Sequence, residues 1–253
     1  MLTHLKQWFF KKVLLQTYQL FFRLNLKSAP LQLADKKCLL LAPHPDDESI
    51  GAGGTLALHT SQFSVVCLTN GNKGFNKTQT ETTPATREQE FRSVMDLLKV
   101  TDVFWLGIED GQLLNGYTVF ETLDLSAYDV IFLPNLLDQH PDHKAVSWLV
   151  HQYFKNHPTK AKKDLQLAFY EVWSTLPLPN AFVDISTVAD LKKSMINAHI
   201  SQVVQKNFAE MTLALNRYRG ISRGVGYAEA FCVMGLWGFH QMVDSLVLFE
   251  PFV

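Results

Sequence analysis

The chain has 253 residues, 47% of them apolar, with 18 Phe and 5 Trp, enough for one large buried core and a single domain of the larger kind. Lys plus Arg and Asp plus Glu number 23 and 24, so the formal net charge is -1 and no general field gathers polyanions, which argues against a nucleic-acid partner. Cys38, Cys67 and Cys232 are odd in number, have no CxxC spacing and sit in apolar, strand-like runs, so they read as buried free thiols of a reducing compartment.

Residues 1–34 carry Lys6, Lys11, Lys12, Arg23 and Lys27 without an Asp or Glu, interleaved with Trp8, Phe9, Phe10, Leu14, Leu15, Phe21 and Phe22. The longest uncharged run, Val13 to Phe22, is ten residues, too short for a bilayer that needs ~20 apolar residues. Lys11 and Lys12 interrupt the apolar stretch and no small-residue cleavage site follows, which speaks against a signal peptide. The segment reads as a basic amphipathic helix that lies in a membrane interface or packs on the domain or a second subunit. The expected location is cytoplasmic, with peripheral contact at the inner membrane face if the helix binds lipid; the oligomeric state is left open.

The main domain, residues 36–253, opens with a short apolar run, 37–42, followed by polar and acidic residues and a small-residue stretch, 51–58: strand, functional loop, helix. Alternation continues with a strand over 63–69, a helix over 84–100 opening on Pro84, and strands over 102–106 and 128–134. Ala145, Val146, Leu149, Val150 and Phe154 recur at helical spacing between 142 and 154. Later come strands over 167–173 and 181–185, a helix from 187 to about 204, another before Arg219, and a final apolar strand over 230–237. The pattern predicts an α/β, Rossmann-like, mainly parallel sheet with helices on both faces, a three-layer α/β/α domain.

In such a sheet ligands bind beyond the carboxyl ends of the strands. Two histidine-bearing polar segments fall there: Pro43-His44-Pro45-Asp46-Asp47-Glu48 after the first strand, and Asp138-Gln139-His140-Pro141-Asp142-His143 after the strand over 128–134. Taken singly, the first is also readable as a polar turn with Asp47 or Ser49 capping a helix, and the second as a helix start in which Asp142 favours the positive dipole end. Together they offer two imidazoles and a carboxylate from distant loops, which suits a catalytic zinc site with an open position; Fe²⁺ or another first-row ion fits the same spacing. A spare carboxylate among Asp46, Asp47 and Glu48 then serves as general base, and either His140 or His143 completes the metal site, leaving the other as acid or oxyanion donor. His59, His151, His157 and His240 lack such company and read as surface or core residues.

At these residues the sequence resembles the PIG-L/LmbE-like family of N-acetylglucosaminyl deacetylases, whose hallmarks are a (A/P/S)HPDDE segment and a later HPDH segment. Further stretches are similar to family landmarks: Thr69-Asn70-Gly71, Arg87-Glu88, Leu106-Gly107 leading to Glu109-Asp110-Gly111, Tyr170-Glu171, Val183-Asp184-Ile185, His199-Ile200-Ser201-Gln202 and Ala228-Glu229-Ala230-Phe231. The paired segments are specific, the others individually weak, and together they span 36–237. The resemblance implies His44, Asp47 and His143 as metal ligands, Asp46 as general base, His140 as oxyanion donor or acid to the leaving amine, Asp142 as orienter of a histidine, and Arg87 and Asp110 as sugar-hydroxyl contacts. It implies removal of an acetyl group from an N-acetylglucosamine-type sugar or glycoconjugate; if residues 1–34 lie on a membrane, their five unopposed cations and aromatics point to a lipid-linked sugar or surface-polysaccharide precursor as the substrate. Alternatives are an amidohydrolase acting on another N-acyl compound and a catalytically silent metal- or carbohydrate-binding protein. A dinucleotide enzyme is disfavoured because Gly51-Ala52-Gly53-Gly54 departs from GxGxxG.

Overall fold

The computed structural model describes residues 28–74, 83–204 and 206–247. Strands β2 (Cys38–Ala42), β3 (Phe63–Thr69) and β5 (Val130–Pro134) are buried along their whole length. Their side chains alternate between two cores: Cys38, Leu40, Val65, Cys67 and Phe132 enter one, and Leu39, Leu41, Val66, Leu68 and Ile131 the other. A strand covered on both faces has no polar side, which is why the sequence shows continuous apolar runs where a one-sided strand would alternate.

With β1 (Ala29–Pro30), β4 (Val103–Ile108), β6 (Gln166–Tyr170), β7 (Ala181–Asp184) and β8 (Ala228–Gly235), these form an eight-stranded sheet in the order β1-β7-β8-β6-β5-β2-β3-β4. All neighbours are parallel except β8, which runs antiparallel to β6 and β7. From β2 the chain winds out to β3 and β4, then crosses back to β5 on the other side of β2. The carboxyl ends of β2 and β5 thus flank a topological switch point, where a crevice opens between diverging connections.

Helices α1 (Asp47–Leu58), α2 (Pro84–Leu98), α4 (Ala189–Ala198) and α6 (Phe208–Ile221) supply the first core, and α3 (Pro141–Asn156) and α7 (Leu236–Val247) the second. Helix α2 starts where the sequence indicates: the Thr83 side chain accepts from the Thr86 N–H at 3.2 Å and Pro84 takes the first position. Cys38, Cys67 and Cys232 are free thiols buried in β2, β3 and β8.

The structure corrects three expectations. The helix from 187 to 204 is broken: a 3₁₀ turn at Ser186–Val188 precedes α4, and a one-turn helix α5 (Ile200–Val203) restarts after His199, whose φ of -81° and ψ of 62° are not helical. The final strand ends at Gly235 and the chain turns into α7, which buries Phe239 and Val243, four residues apart, in the second core. Residues 28–34 belong to the domain and are not helical: Ala29 and Pro30 pair with β7, and Leu33 is buried. The remaining part of the expected N-terminal helix, 1–27, lies outside the described residues. Among the described residues no helix is long and apolar enough to cross a membrane.

Candidate active site

The loop after β2 and the start of α3 meet at the switch point. His44 Nδ1 lies 3.2 Å from Asp47 Oδ2, and His143 Nε2 lies 3.2 Å from the same oxygen. The far nitrogens of both rings face other carboxylates: His44 Nε2 is 3.1 Å from Asp142 Oδ2, and His143 Nδ1 is 3.4 Å from Asp138 Oδ2. Each imidazole therefore backs on an acid that would hold a proton on the far nitrogen, while its near nitrogen turns a lone pair to the point Asp47 also faces. That is the carboxylate–histidine arrangement by which metal ligands are oriented.

His143 is fully buried, yet neither of its ring nitrogens makes a hydrogen bond of acceptable geometry. Ligand bonds of ~2.0–2.1 Å in a tetrahedron separate ligand atoms by about 3.3 Å. The 3.2 Å spacings from Asp47 Oδ2 to each ring match such an edge; at His143 the contact is not a hydrogen bond, whereas His44 bonds the same oxygen through its backbone N–H at 2.9 Å and through Nδ1. Among the described residues, the sets whose donor atoms all lie within 4.8 Å of one another are His44, His140 and His143, and His44, Asp110 and Asp142; Asp47 belongs to neither set. His140 is less suited as a ligand through Nδ1, because that nitrogen accepts the Asp142 N–H at 3.2 Å and caps α3.

Electrostatics favour positive charge at this point. Burial opposes charging His44, but hydrogen bonds to Asp142 and Asp47 outweigh it and push the pKa up to about 10. His143 behaves alike, burial being outweighed by Asp47 and Asp138, with a pKa of about 9. Burial likewise raises Asp47, and the charges of His143 and His44 overcome it and hold that carboxyl well below the usual range. His140 moves the other way: burial, then His44 and His143, lower its pKa, so it is neutral near pH 7 with its proton on Nε2.

Asp46 sits between the pair of segments with unusual geometry. Its φ of 146° is a conformation that side-chain-bearing residues rarely adopt. Its N–H donates to Glu48 Oε2 at 3.0 Å, and Glu48 Oε1 is held in turn by Ser49 Oγ at 2.8 Å and His199 Nε2 at 2.9 Å. On the other side Arg87 Nη2 donates to the Pro45 carbonyl at 2.5 Å and to Asp46 Oδ2 at 3.3 Å. Burial pushes the Asp46 carboxyl up to about 6, against the pull of Arg87. Gly71 is required beside it: with φ of 64°, a Cβ there would lie 2.7 Å from Arg87 Nε and 3.0 Å from Pro45.

All eight residues singled out in the sequence come together, but two of them do so differently from expectation. Arg87 is only 2% exposed and braces the 45–46 backbone, leaving Nε and Nη1 without a protein partner. Asp110 spends its carboxylate on the 71–73 turn, accepting from Gly71 N–H at 3.1 Å and Lys73 N–H at 2.9 Å. Asp142 faces His44 and also accepts the Gly111 N–H at 2.8 Å. Sequence reasoning gave no role to Asp138, although it stands inside the quoted segment, two residues before His140, and accepts that residue's N–H. It also missed Glu48 and His199 as a buried pair; their 151-residue separation leaves no local signal. His151 and His240, read as solitary, pair through their Nδ1 atoms at 2.8 Å, with Asp244 3.2 Å from His151 Nε2; the contact depends on α7, which was not anticipated.

The family described as PIG-L, GlcNAc-PI de-N-acetylase, matches residues 39–154, which hold both histidine segments and the switch point. A conserved protein of Thermus thermophilus is 30% identical and superposes with a TM-score of 0.64 over 78% of this chain and 94% of its own. The chain belongs to the PIG-L family. Another relative of known structure, an N,N'-diacetylchitobiose deacetylase from Pyrococcus horikoshii, is 25% identical, with a TM-score of 0.66 over 87% of this chain and 89% of its own. A probable N-acetyl-alpha-D-glucosaminyl L-malate deacetylase of Bacillus cereus is 27% identical over 66% of this chain and 84% of its own. In this PIG-L chain the similarity therefore extends through most of the α/β domain and well beyond the two motif segments.

Proposed function

We propose that this PIG-L protein is a metal-dependent hydrolase that removes the acetyl group from an N-acetylglucosamine-type amino sugar or glycoconjugate. The observation that carries the reading is the placing of Asp47 at 3.2 Å from one nitrogen of His44 and one of His143, with the strained, half-buried Asp46 beside it. The deacetylase names of two similar proteins support the reaction and the sugar class.

His44, Asp47 and His143 hold the ion, Zn²⁺ suiting a set of two nitrogens and one oxygen, with Fe²⁺ compatible. When bound, such an ion polarises an amide carbonyl and makes hydroxide available near neutral pH. Asp46 takes the proton of the attacking water. A carboxyl whose pKa burial has raised to about 6 holds that proton and then delivers it to the amide nitrogen as the C–N bond breaks, giving acetate and a free amine. Neutral His140, with its hydrogen on Nε2, is placed to donate to the developing oxyanion; because its pKa is lowered, it is the weaker candidate for protonating the amine. Asp142 and Asp138 orient His44 and His143. Arg87 and Asp110 wall the cleft by fixing the 45–46 and 71–73 backbones, and Arg87 Nε and Nη1 are the groups left over for a sugar hydroxyl.

The acceptor beyond the acetylated sugar differs between the two named relatives, L-malate in one and a second sugar in the other, so it stays open here. The test is acetate release by the purified protein from N-acetylglucosamine and a panel of its conjugates, lipid-linked ones included, with added Zn²⁺ and after chelation. Metal-dependent release establishes the reaction. Binding of one equivalent of metal with no release from any acetylated sugar, but turnover of another acylated amine, would replace this reading by that of an amidohydrolase of different substrate.

A further inference from the structure

Helix α1 carries Asp47 as its first residue and is jointed: at Ala52 φ is -138° and ψ is 20°, so that two helical halves meet there. The joint lies in the small-residue run Gly51-Ala52-Gly53-Gly54, a composition at which helices bend. It is pressed against a wall. The Tyr170 ring leaves no room for a Cβ on Gly51, and Tyr170 Oη donates at 2.7 Å to the Leu41 carbonyl of β2, the strand that runs into the His44 loop. A joint exposes the leading N–H groups of the second half, as any helix start does. Glu229 of β8, from a stretch that takes no part in the chemistry proposed above, meets them: Oε1 accepts the Gly54 N–H at 2.7 Å, and Oε2 accepts the Thr55 N–H at 2.8 Å and the Thr55 hydroxyl at 2.6 Å.

This carboxylate is buried, and its counter-ion is Lys192 of α4, also without exposed surface, whose Nζ lies 2.5 Å from Oε1. Replacing a buried ion pair by apolar residues of similar volume is often neutral or stabilising, so net stability is a poor account of it. Direction is a better one: two oxygens of one carboxylate hold two successive N–H groups of the second half, and the anion sits at that half's positive end. The bonds of Glu48 to Ser49 and His199 hold the near end of α1, and the Glu229 cap holds the joint. The arm between them is short, with Asp47 at its tip. From Asp47 to Ala52 a helix rises ~7.5 Å at ~1.5 Å per residue, so a turn of about 10° at the joint carries the Asp47 Cα by roughly 1.3 Å. Asp47 has to reach two imidazoles at once, each at 3.2 Å, and a constellation of this kind tolerates about 0.5 Å.

We infer that Glu229, with Lys192 behind it, is a positioning residue for the metal site: it fixes the angle of α1 at Ala52 and so places Asp47 between His44 and His143. The inference rests on the reading of these three as metal ligands. Two full-length variants test it. Glu229→Gln keeps the length of the side chain and one acceptor oxygen; Glu229→Gln/Lys192→Met also removes the buried ammonium that the first leaves unpaired, and so folds where the single variant fails to. In crystals of either, the Asp47 carboxylate is expected about 1 Å or more farther from His143 Nε2 than in the parent, the displacement of a joint turned by about 10°. Zn²⁺ affinity, read by competition with a chromogenic chelator, should fall about 10–100-fold, as when groups that support metal ligands are removed. Val243→Ala, which opens the second core, is the control for lost stability: at a comparable drop in melting temperature its Zn²⁺ affinity should stay within about twofold of the parent. An unmoved Asp47 overturns the inference, as does a weakening of Zn²⁺ binding no greater than the control's. Failure of the deacetylase reading is seen separately, as absence of metal-dependent acetate release by the unmodified protein; if that protein takes up no Zn²⁺, the place of Asp47 in the crystals decides the inference alone.

Discussion

His143 and His151 lie on one face of α3, eight residues apart, and both have no exposed surface. At His143 the carboxylates of Asp47 and Asp138 outweigh burial and raise the pKa to about 9. At His151 burial, His240 and Lys155 outweigh Asp244 and lower it to about 4. Neither ring reaches solvent, and His143, the more deeply enclosed of the two, is the one whose pKa rises; the sign is set by whether acids or bases arrive from the packed elements. The first position is prepared for a cation, and the second keeps a neutral ring pressed between Trp148 and Phe239. A histidine's burial thus says little about its role until its partners are counted.

The comparison breaks first at the ion. Asp47→Ala and His143→Ala are expected to lose both stoichiometric metal and turnover, read by metal analysis after gel filtration and by acetate release; a variant retaining its metal would show that the ligands lie elsewhere. Next comes Asp46→Asn, which should keep the metal and lower kcat by about 10²–10⁴-fold, the range of a lost general base. Smaller is the effect of Asp138→Ala: metal affinity falling about 10–100-fold, as for loss of a carboxylate behind a histidine ligand, measured by competition with a chromogenic chelator. The smallest concerns His151. Its folded pKa is below the ordinary ~6.5, so between about 6.5 and 4 the unfolded chain binds a proton that the folded chain refuses. That contribution to stability is complete above pH 6.5 and declines as pH falls toward 4. Thermal melts across this range should show His151→Leu with a shallower decline than the parent; identical slopes would mean that His151 is not titrating in the expected window.

The sheet was legible because local patterns carry it, apolar runs buried on both faces for β2, β3 and β5; the polar segments at their carboxyl ends marked His44, Asp46, Asp47, His140, Asp142 and His143 as candidates, whereas Arg87 and Asp110 came from the family resemblance alone. What escaped depends on distant partners. His199 stops a helix to reach Glu48, 151 residues away, and no helical propensity marks that interruption. The run 228–237 reads as one apolar strand because Leu236 and Trp237 suit either state; the turn after Gly235 is decided by packing of Phe239 and Val243 against the second core. Asp110 illustrates the same limit within the site itself. The family resemblance implies a sugar-hydroxyl contact there, and the folded 71–73 turn adds what the sequence does not show, that the carboxylate accepts the N–H groups of Gly71 and Lys73.

Asp46, the proposed general base, sits on a backbone that glycine would occupy without strain. A residue so placed costs of order 1–3 kcal/mol, and Glu48, His199 and Arg87 are the neighbours that impose it. Stability and turnover therefore select in opposite directions at this position: drift to glycine would harden the fold while silencing it. Attempts to make the protein more robust have to leave residue 46 out of their reach.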